Sequence, residues 1–133
     1  MTIKEAIQSE RDAEQRCLDL LRLTRWADGI HCPRCGDTRF NYHANQNGGR
    51  RKRLCLGCER TYNELTGTPF ANSKLPLKVW FKCAARMNEG ATTCDELSKR
   101  LGVKLATAWR MRRVISNAQA DPVIGRLFSG GSS

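Results

Sequence analysis

Two Cys-x-x-Cys pairs are the residues in this sequence best suited to chemistry. Cys32 and Cys35 form the first pair, Cys55 and Cys58 form the second, and 19 residues separate the pairs. Four thiolates can complete a tetrahedral shell around a soft divalent ion, and for four sulfur ligands that ion is most often zinc. The spacing is typical of a zinc site rather than of a redox pair. We therefore predict that these four residues hold one structural Zn²⁺ ion.

The remaining cysteines and the two histidines are less suited to metal binding. Cys17 falls on the apolar stripe of a predicted helix, while Cys83 and Cys94 lie in predicted helices without partners at ligand spacing. His31 is adjacent to the first cysteine, a poor position for two ligands on one ion, and His43 lies in an alternating strand without a paired partner. We interpret the three cysteines as core residues. An iron-binding electron carrier is an alternative use of the paired cysteines, but it explains neither the charge nor the helices.

The cysteine count and the N-terminus indicate the compartment. The seven cysteines are an odd number, and the first residues lack the basic start and apolar run of a signal peptide. No apolar stretch approaches the roughly 20 residues needed to cross a bilayer. We expect a reduced, cytoplasmic protein in which paired cysteines bind metal rather than form disulfides, with no membrane partner and no small-molecule substrate.

The net charge of +10 is unevenly distributed along the chain. Residues 1–30 have a net charge of −1, whereas residues 31–62 have +5 and residues 74–119 have +7. Simple solubility would not require this segregation, so we predict a polyanionic partner, namely nucleic acid. Four consecutive cations precede the second cysteine pair and are candidates for phosphate contacts: Arg50, Arg51, Lys52 and Arg53. The alternative is a solvated strand edge protected from aggregation.

The elements that position the cysteines are a helix and a small sheet. Residues 9–25 predict an amphipathic helix in which Ser9 is the cap and Asp12 its return partner. Gly29 then allows a left-handed turn. Residues 39–43 and 60–65 predict strands, and the Asn-Gly pair at 47–48 predicts the turn that returns the chain towards the second cysteine pair.

A second constellation follows in the C-terminal half. Pro76 fits the first turn of a helix, and Thr93 with Glu96 predicts a capping box at the start of another. Gly102 then makes a turn before a longer helix that begins at about Lys104. The alternation of apolar and small residues across this turn is typical of a helix-turn-helix, although any helical hairpin can imitate it.

The last of these helices would present its N-terminal outward residues to DNA. The candidates for DNA contact on this helix are Lys104, Leu105, Ala106, Thr107, Trp109, Arg110 and Arg113. The apolar members suit thymine methyl groups, and the cationic members suit guanine or phosphate. For Trp109 an alternative is that the ring packs against the first helix of the unit.

Together these features predict a small α+β fold with four regions. Residues 1–30 form an N-terminal amphipathic helix that packs on the ribbon, and residues 31–70 form a zinc ribbon of short antiparallel strands. Residues 71–120 form a three-helix helix-turn-helix domain, and residues 121–133 form a flexible tail.

Four stretches resemble the N-terminal part of a bacterial insertion-sequence transposase family. They are RWADGIHCPRCG at residues 25–36, CLGC at 55–58, TGTPF at 66–70 and SKLPLKVWF at 73–81. The resemblance runs from about Cys17 to Arg113. It implies zinc on the four paired cysteines, and a zinc ribbon and helix-turn-helix that bind double-stranded DNA at terminal inverted repeats. It also implies a homodimer or a full-length transposase as protein partner, and a nucleoid-associated bacterial protein.

Members of that family continue into an RNase-H-like nuclease domain with an acidic triad. Here the last acidic residue is Asp121, and two-metal phosphoryl chemistry needs clustered carboxylates. We therefore expect no nuclease activity and a truncated, frameshifted or repurposed transposase. The alternatives are a protein-interaction adaptor or transcriptional regulator derived from a transposase, and an active nuclease.

Overall fold

The computed structural model describes residues 7, 12–45, 50–71, 73–121, 124, 125 and 127. In chain order the elements are α1 (Ala13–Arg25), β1 (Phe40–Asn45), β2 (Arg51–Cys55), β3 (Thr61–Tyr62), α2 (Leu77–Asn88), α3 (Cys94–Leu101) and α4 (Leu105–Ala118). This confirms the small α+β class, with an N-terminal helix, a ribbon of antiparallel strands and then helices. Within the described residues, no helix combines the length and the apolar character that a membrane span requires.

The three strands form one antiparallel sheet in the order β1-β2-β3. The register shifts between Tyr42 and Ala44, so that His43 is an extra residue in the edge strand. β3 is shorter than the predicted strand because the Asn63 side chain starts a turn. Its Oδ1 accepts hydrogen bonds from the backbone amides of Leu65 (2.8 Å) and Thr66 (3.1 Å). The predicted Asn-Gly turn at 47–48 lies outside the described residues.

Helix α1 begins at Ala13, with Asp12 at the N-cap position making no side-chain cap hydrogen bond. The predicted cap, Ser9, lies outside the described residues. Near the start of this helix Glu14 has another role, because its carboxylate accepts hydrogen bonds from the amides of Leu77 and Lys78, each at 3.0 Å. An anion at this position satisfies free amides at the start of α2 and opposes the positive end of its dipole. Glu14 therefore fixes α1 to α2.

The main core is formed by the apolar faces of α1, α2, α3 and α4. Its largest buried side chains include Trp80, Phe81 and Met111. The sequence predicts that α1 packs on the ribbon. The apolar face of α1 lies in this helical core, which also includes Leu65 of the ribbon segment, and Arg22 of α1 contacts Glu64 of that segment. Ile124 and Leu127 are also buried there, so the region predicted to be a flexible tail includes packed residues. Their apolar side chains are the physical reason, since burial in the core removes them from water.

The ribbon has a small core of its own, formed by Trp26, Cys32, Cys55 and Tyr62. Trp26 follows α1 directly, so the chain passes from one core to the other at the end of that helix.

The connection between α3 and α4 has the predicted local structure. The hydroxyl of Thr93 accepts a hydrogen bond from the amide of Glu96 at 3.1 Å, which caps α3. Gly102 ends α3 in the left-handed conformation at φ 68°, where glycine carries no Cβ penalty. The Ser98 hydroxyl donates to the carbonyl of Val103 at 2.6 Å and holds the turn against the helix. α3 and α4 pack through buried residues of the main core.

Candidate metal centre and its surroundings

The two cysteine pairs lie on two turns with the same backbone hydrogen bonds. In the first turn the amide of Gly36 donates to the carbonyl of Cys32, and the amide of Cys32 donates to the carbonyl of Asp37, both at 2.9 Å. In the second turn the amide of Glu59 donates to the carbonyl of Cys55 at 3.0 Å, and the amide of Cys55 donates to the carbonyl of Arg60 at 2.9 Å. Each turn is therefore closed by backbone hydrogen bonds of its own.

The residue after the second cysteine of each pair has a positive φ. Gly36 has φ 79° and Glu59 has φ 62°. A glycine at the first position signals this conformation in the sequence, but a glutamate at the second does not. For an L-residue the left-handed conformation costs about 1–2 kcal/mol. The second turn keeps it because the hydrogen bonds that close the turn require it.

The four sulfur atoms lie where a single zinc ion needs them. All four are within 4.8 Å of one another. The Cys32 and Cys58 sulfurs are 3.8 Å apart and those of Cys35 and Cys55 are 3.4 Å apart. A tetrahedral shell with Zn–S bonds of about 2.3 Å has sulfur–sulfur edges of about 3.8 Å. The predicted ligands are therefore brought together, and the zinc-ribbon cluster fits one structural zinc ion.

Backbone amides point at the sulfurs and favour their thiolate forms. The amide of Arg34 lies 3.4 Å from the Cys32 sulfur, and the amide of Cys58 lies 3.5 Å from the Cys55 sulfur. Burial raises the pKa of Cys32, but the backbone amides of Cys35 and Arg34 and the neighbouring thiols outweigh it and lower that pKa to about 7. For Cys35 the backbone amide of Asp37 lowers the pKa, but the neighbouring thiols and burial outweigh it and raise that pKa to about 11. The four sulfurs therefore share protons, and a zinc ion that binds them as thiolates would release those protons.

The Asp37 side chain lies at the first turn and faces Gly57 of the second. Its carboxylate accepts hydrogen bonds from the Arg39 guanidinium at 2.8 and 3.2 Å and from the Arg39 amide at 2.8 Å. These contacts hold the pKa of Asp37 down to about 2, so its carboxylate stays charged. Gly57 faces this carboxylate, and a Cβ added there would lie 2.5 Å from Oδ2 and 3.0 Å from the Cβ of Asp37. Only glycine allows this approach.

We therefore expect Gly57→Ala to destabilise the ribbon by about 1–3 kcal/mol, because Arg39 prevents Asp37 from moving aside. The measurement is the free energy of urea unfolding of the zinc-bound protein. Leu56→Ala changes an exposed neighbour in the same turn and is the matched control. If Gly57→Ala leaves stability and zinc content unchanged, the Asp37 side chain can move aside without an energetic cost.

A buried carboxylate joins the ribbon to the helical core. Glu64 is fully buried and accepts hydrogen bonds from the Arg22 guanidinium and, at 2.9 Å, from the amide of Arg51. The Arg53 guanidinium lies 3.6 Å from Oε1 of Glu64, the oxygen that also accepts the amide of Arg51. Arg25 donates to the backbone carbonyl of Glu64 at 2.8 Å. Residues of α1 and β2 thus converge on one side chain. Sequence reasoning missed Glu64, although it is the only acidic residue between Glu59 and Glu89 in the sequence.

One predicted DNA contact is removed by this arrangement. Arg53 is 2% exposed, and its guanidinium lies 5.0 Å from the centroid of Trp26 and close to Glu64. A guanidinium held inside the protein cannot contact phosphate. The prediction that Arg53 contacts DNA is therefore corrected by its burial. Its neighbour Arg51 is exposed, whereas Arg50 and Lys52 are half-buried.

The candidates on α4 lie at the surface. Trp109 is 63% exposed and Leu105 is 48% exposed, one helical turn apart. The Trp109 ring is therefore mostly exposed, which disfavours the alternative that it packs against the first helix of the unit. Thr107 is half-buried, and the other candidates on this helix are exposed: Lys104, Ala106, Arg110 and Arg113.

Comparisons with known proteins agree with the metal site. Residues 12–61 match the family described as the transposase zinc-ribbon domain. A protein of Halobacterium salinarum described as "Uncharacterized protein in transposable element ISH50" is 31% identical over 98 residues. That match covers 74% of this chain and 33% of the Halobacterium protein, so the chain spans about a third of this relative's length. No solved structure matches the chain.

The segment that matches the family contains α1, β1, β2 and all four zinc ligands. The resemblance seen in the sequence is thus confirmed by the family match and by the relative from a transposable element. Over residues 12–61, the chain is similar to the transposase zinc-ribbon family.

Proposed function

We propose that this chain is a zinc-dependent module that binds duplex DNA in a sequence-specific manner, and that its targets are the terminal inverted repeats of a mobile element. The observation that carries the proposal is the outward face of α4. This face combines two exposed large apolar side chains with cations, at the N-terminal end of a helix that follows a capped helix and a tight turn.

The arrangement of α2, α3 and α4 supports a helix-turn-helix. In such units the second helix of the hairpin enters the major groove, and its N-terminal residues contact base edges. Here Ala108 and Met111 face the core, which leaves Leu105 and Trp109 on the outer side. The core contacts therefore orient the candidate face towards solvent.

The chemistry of this face suits base edges. Exposed Leu105 and Trp109 would be costly to keep in water without a partner, and apolar side chains can contact the methyl groups of thymine. Lys104 precedes them and Arg110 follows them, where they can contact guanine or phosphate. Contacts of both kinds on one helix favour a reading surface over a merely solvated one.

The surroundings of α4 supply further positive charge. A groove of about 540 Å³ runs between α4 and the segment before α2, with Lys74 on one wall and Thr107 and Arg110 on the other. Cations beside a reading helix position the protein on the phosphate backbone. The same role suits Arg51 and Lys52 on the ribbon.

We also propose that this part of the protein binds DNA without cutting it. Among the described residues, the group able to hold a metal ion consists of cysteines alone. Thiolates that fill a tetrahedral zinc shell leave no open position for catalysis, and two-metal strand cleavage needs carboxylates. The zinc would therefore hold the ribbon together rather than react.

The test is selection of bound sequences from a random pool of duplex DNA, with zinc and with a chelator, followed by titration at several salt concentrations. A module of the proposed kind enriches one motif, with affinity that falls steeply as salt rises. The chelator should abolish this enrichment. If the protein is an interaction adaptor instead, no motif is enriched and binding disappears near physiological salt.

Arg110→Ala should weaken binding to the selected sequence by about 1–3 kcal/mol and relax preference at one base position. The reason is the loss of a cation at the N-terminal part of the reading helix. The measurement is a competition titration of the selected duplex against single-base variants. Arg100→Ala removes the same charge from an exposed position on α3 and should leave base preference unchanged. Equal effects of both changes on base preference would show that α4 is not the helix that contacts the bases.

A further inference from the structure

Strand β1 and the start of β2, at Arg51 and Lys52, form a two-stranded arm at the edge of the sheet, whereas Arg53 and Cys55 further along β2 are buried. β1 is the edge strand of the sheet, and every residue in it after Phe40 is exposed. An antiparallel strand ordinarily buries one of its two faces, and alternating burial is the usual sign. Residues 41–45 lack that alternation. Both faces of this strand are therefore available to a partner.

The charge of the arm has a single sign. Between Asp37 and Glu59 the sequence contains five Lys or Arg residues and no acidic residue. Arg53 is buried beside Glu64 and Arg39 pairs with Asp37, so Arg50, Arg51 and Lys52 supply the surface charge. A surface with cations alone matches a polyanion.

A row of aromatic rings leads from the ribbon core to the surface of the arm. Trp26 contacts Tyr62 with 6.3 Å between ring centroids, and Tyr62 contacts Phe40 at 6.4 Å. Phe40 in turn contacts Tyr42 at 5.3 Å, with the rings nearly perpendicular. The first rings of the row are buried, while Tyr42 is 56% exposed. The exposed Tyr42 ring thus packs against Phe40, which itself packs against the buried rings.

Two guanidinium groups fix the exposed ring. Arg51 lies over Tyr42 with its guanidinium carbon 4.2 Å from the ring centroid, and buried Arg53 lies 5.6 Å from the same centroid. The backbone of Arg51 is itself held by its hydrogen bond to Glu64. Side chains that are already ordered lose little entropy on binding. Tyr42 and Arg51 are therefore an exposed pair prepared for contact.

From this geometry we infer that the β1–β2 arm enters a groove of duplex DNA, with Tyr42 and Arg51 as its contact pair, and lengthens the site bound by α4. The inference rests on the proposed function and adds a second reading element to it. A two-stranded ribbon has the dimensions that the major groove admits. The Tyr42 ring can pack against sugar or base edges, and Arg51 can bind phosphate or guanine.

The experiment compares zinc-loaded full chains on the selected duplex by hydroxyl-radical footprinting and by titration over a range of salt. Tyr42→Ala should lose on the order of tenfold in affinity, as expected for truncating an anchoring aromatic residue, and should shorten the footprint at one end. Tyr42→Phe keeps the ring and should keep the footprint. Arg51→Gln should reduce the slope of the salt dependence by about 1.

Two further variants separate contact from folding. Asn41→Glu places a negative charge on the exposed strand away from the aromatic row and should weaken binding while zinc content and melting temperature stay unchanged. Leu23→Ala changes an exposed residue of α1 and should bind as the wild type does. If Tyr42→Ala loses zinc, Asn41→Glu and Arg51→Gln carry the test.

The outcomes distinguish the role of the arm from the proposed function of α4. A wild-type footprint that stays the same in Tyr42→Ala, Arg51→Gln and Asn41→Glu overturns the role of the arm and leaves the function of α4 standing. Wild-type protein that enriches no duplex sequence overturns both. Loss of binding to a protein partner, with DNA binding unchanged, would assign the arm to that partner and contradict the inference.

Discussion

Cys58→Ser is expected to release the zinc ion and to unfold residues 31–65. The ribbon has a core of four buried residues, and two of these are zinc ligands. Zinc binding to such small modules contributes about 10–16 kcal/mol at neutral pH, which is more than burial of a core of this size supplies. Cys35→Ser should have the same effect. Metal content and the absorption of the cobalt-substituted protein measure the loss directly.

A matched control is available because the chain has cysteines that are not ligands. Cys94→Ser changes a buried cysteine of α3 and should retain one equivalent of zinc. The helices α2, α3 and α4 should keep most of their helical signal in Cys58→Ser, since their core does not include the ligands. One equivalent of zinc and an unchanged spectrum in Cys58→Ser would refute the ligand assignment.

Glu64→Ala should lower the free energy of unfolding by about 3–5 kcal/mol, because it leaves the buried Arg53 guanidinium without its carboxylate. The same change removes the acceptor for Arg22 and for the amide of Arg51. Since these donors belong to α1 and β2, the loss should also loosen the ribbon from the helices.

Urea unfolding followed by two signals measures this effect. The metal–thiolate absorption of the cobalt form reports on the ribbon, and far-ultraviolet circular dichroism reports on the helices. In Glu64→Ala the two transitions should separate more than in the wild type. Asp95→Ala removes a carboxylate from an exposed ion pair with Lys99 and should change stability little, because such pairs are screened by solvent. Equal stability of Glu64→Ala and wild type would show that the buried pair contributes nothing net.

The features predicted correctly from sequence are those that depend on neighbours in the chain. The Cys-x-x-Cys spacing places two sulfurs on one turn, so the ligand set follows from the pattern. The Thr93 cap and the Gly102 turn likewise depend on contacts within a few residues. Such local rules operate whatever the rest of the chain does.

Features that join distant parts of the chain were not predicted. The Glu14 carboxylate caps a helix 63 residues away, and Glu64 binds the Arg22 guanidinium 42 residues away. Nothing in the spacing of these residues indicates their partners. For the same reason the sequence could not distinguish buried Arg53 from exposed Arg51, two residues of one type in one strand. Their environments are set by long-range contacts, since Arg53 lies close to Trp26 and Glu64.

The closed turns that carry the zinc ligands have a consequence for the reach of the arm. Because each turn completes its own hydrogen bonds, the metal fixes only the two ends of the segment between Cys35 and Cys55. A hairpin between fixed ends can gain or lose residues in pairs, each pair changing its length by about 3.3 Å, while the ladder near the metal keeps its register. Longer loops add little to the entropy cost of closing them. Proteins with this metal centre can therefore differ in how far the arm extends while the zinc site stays the same.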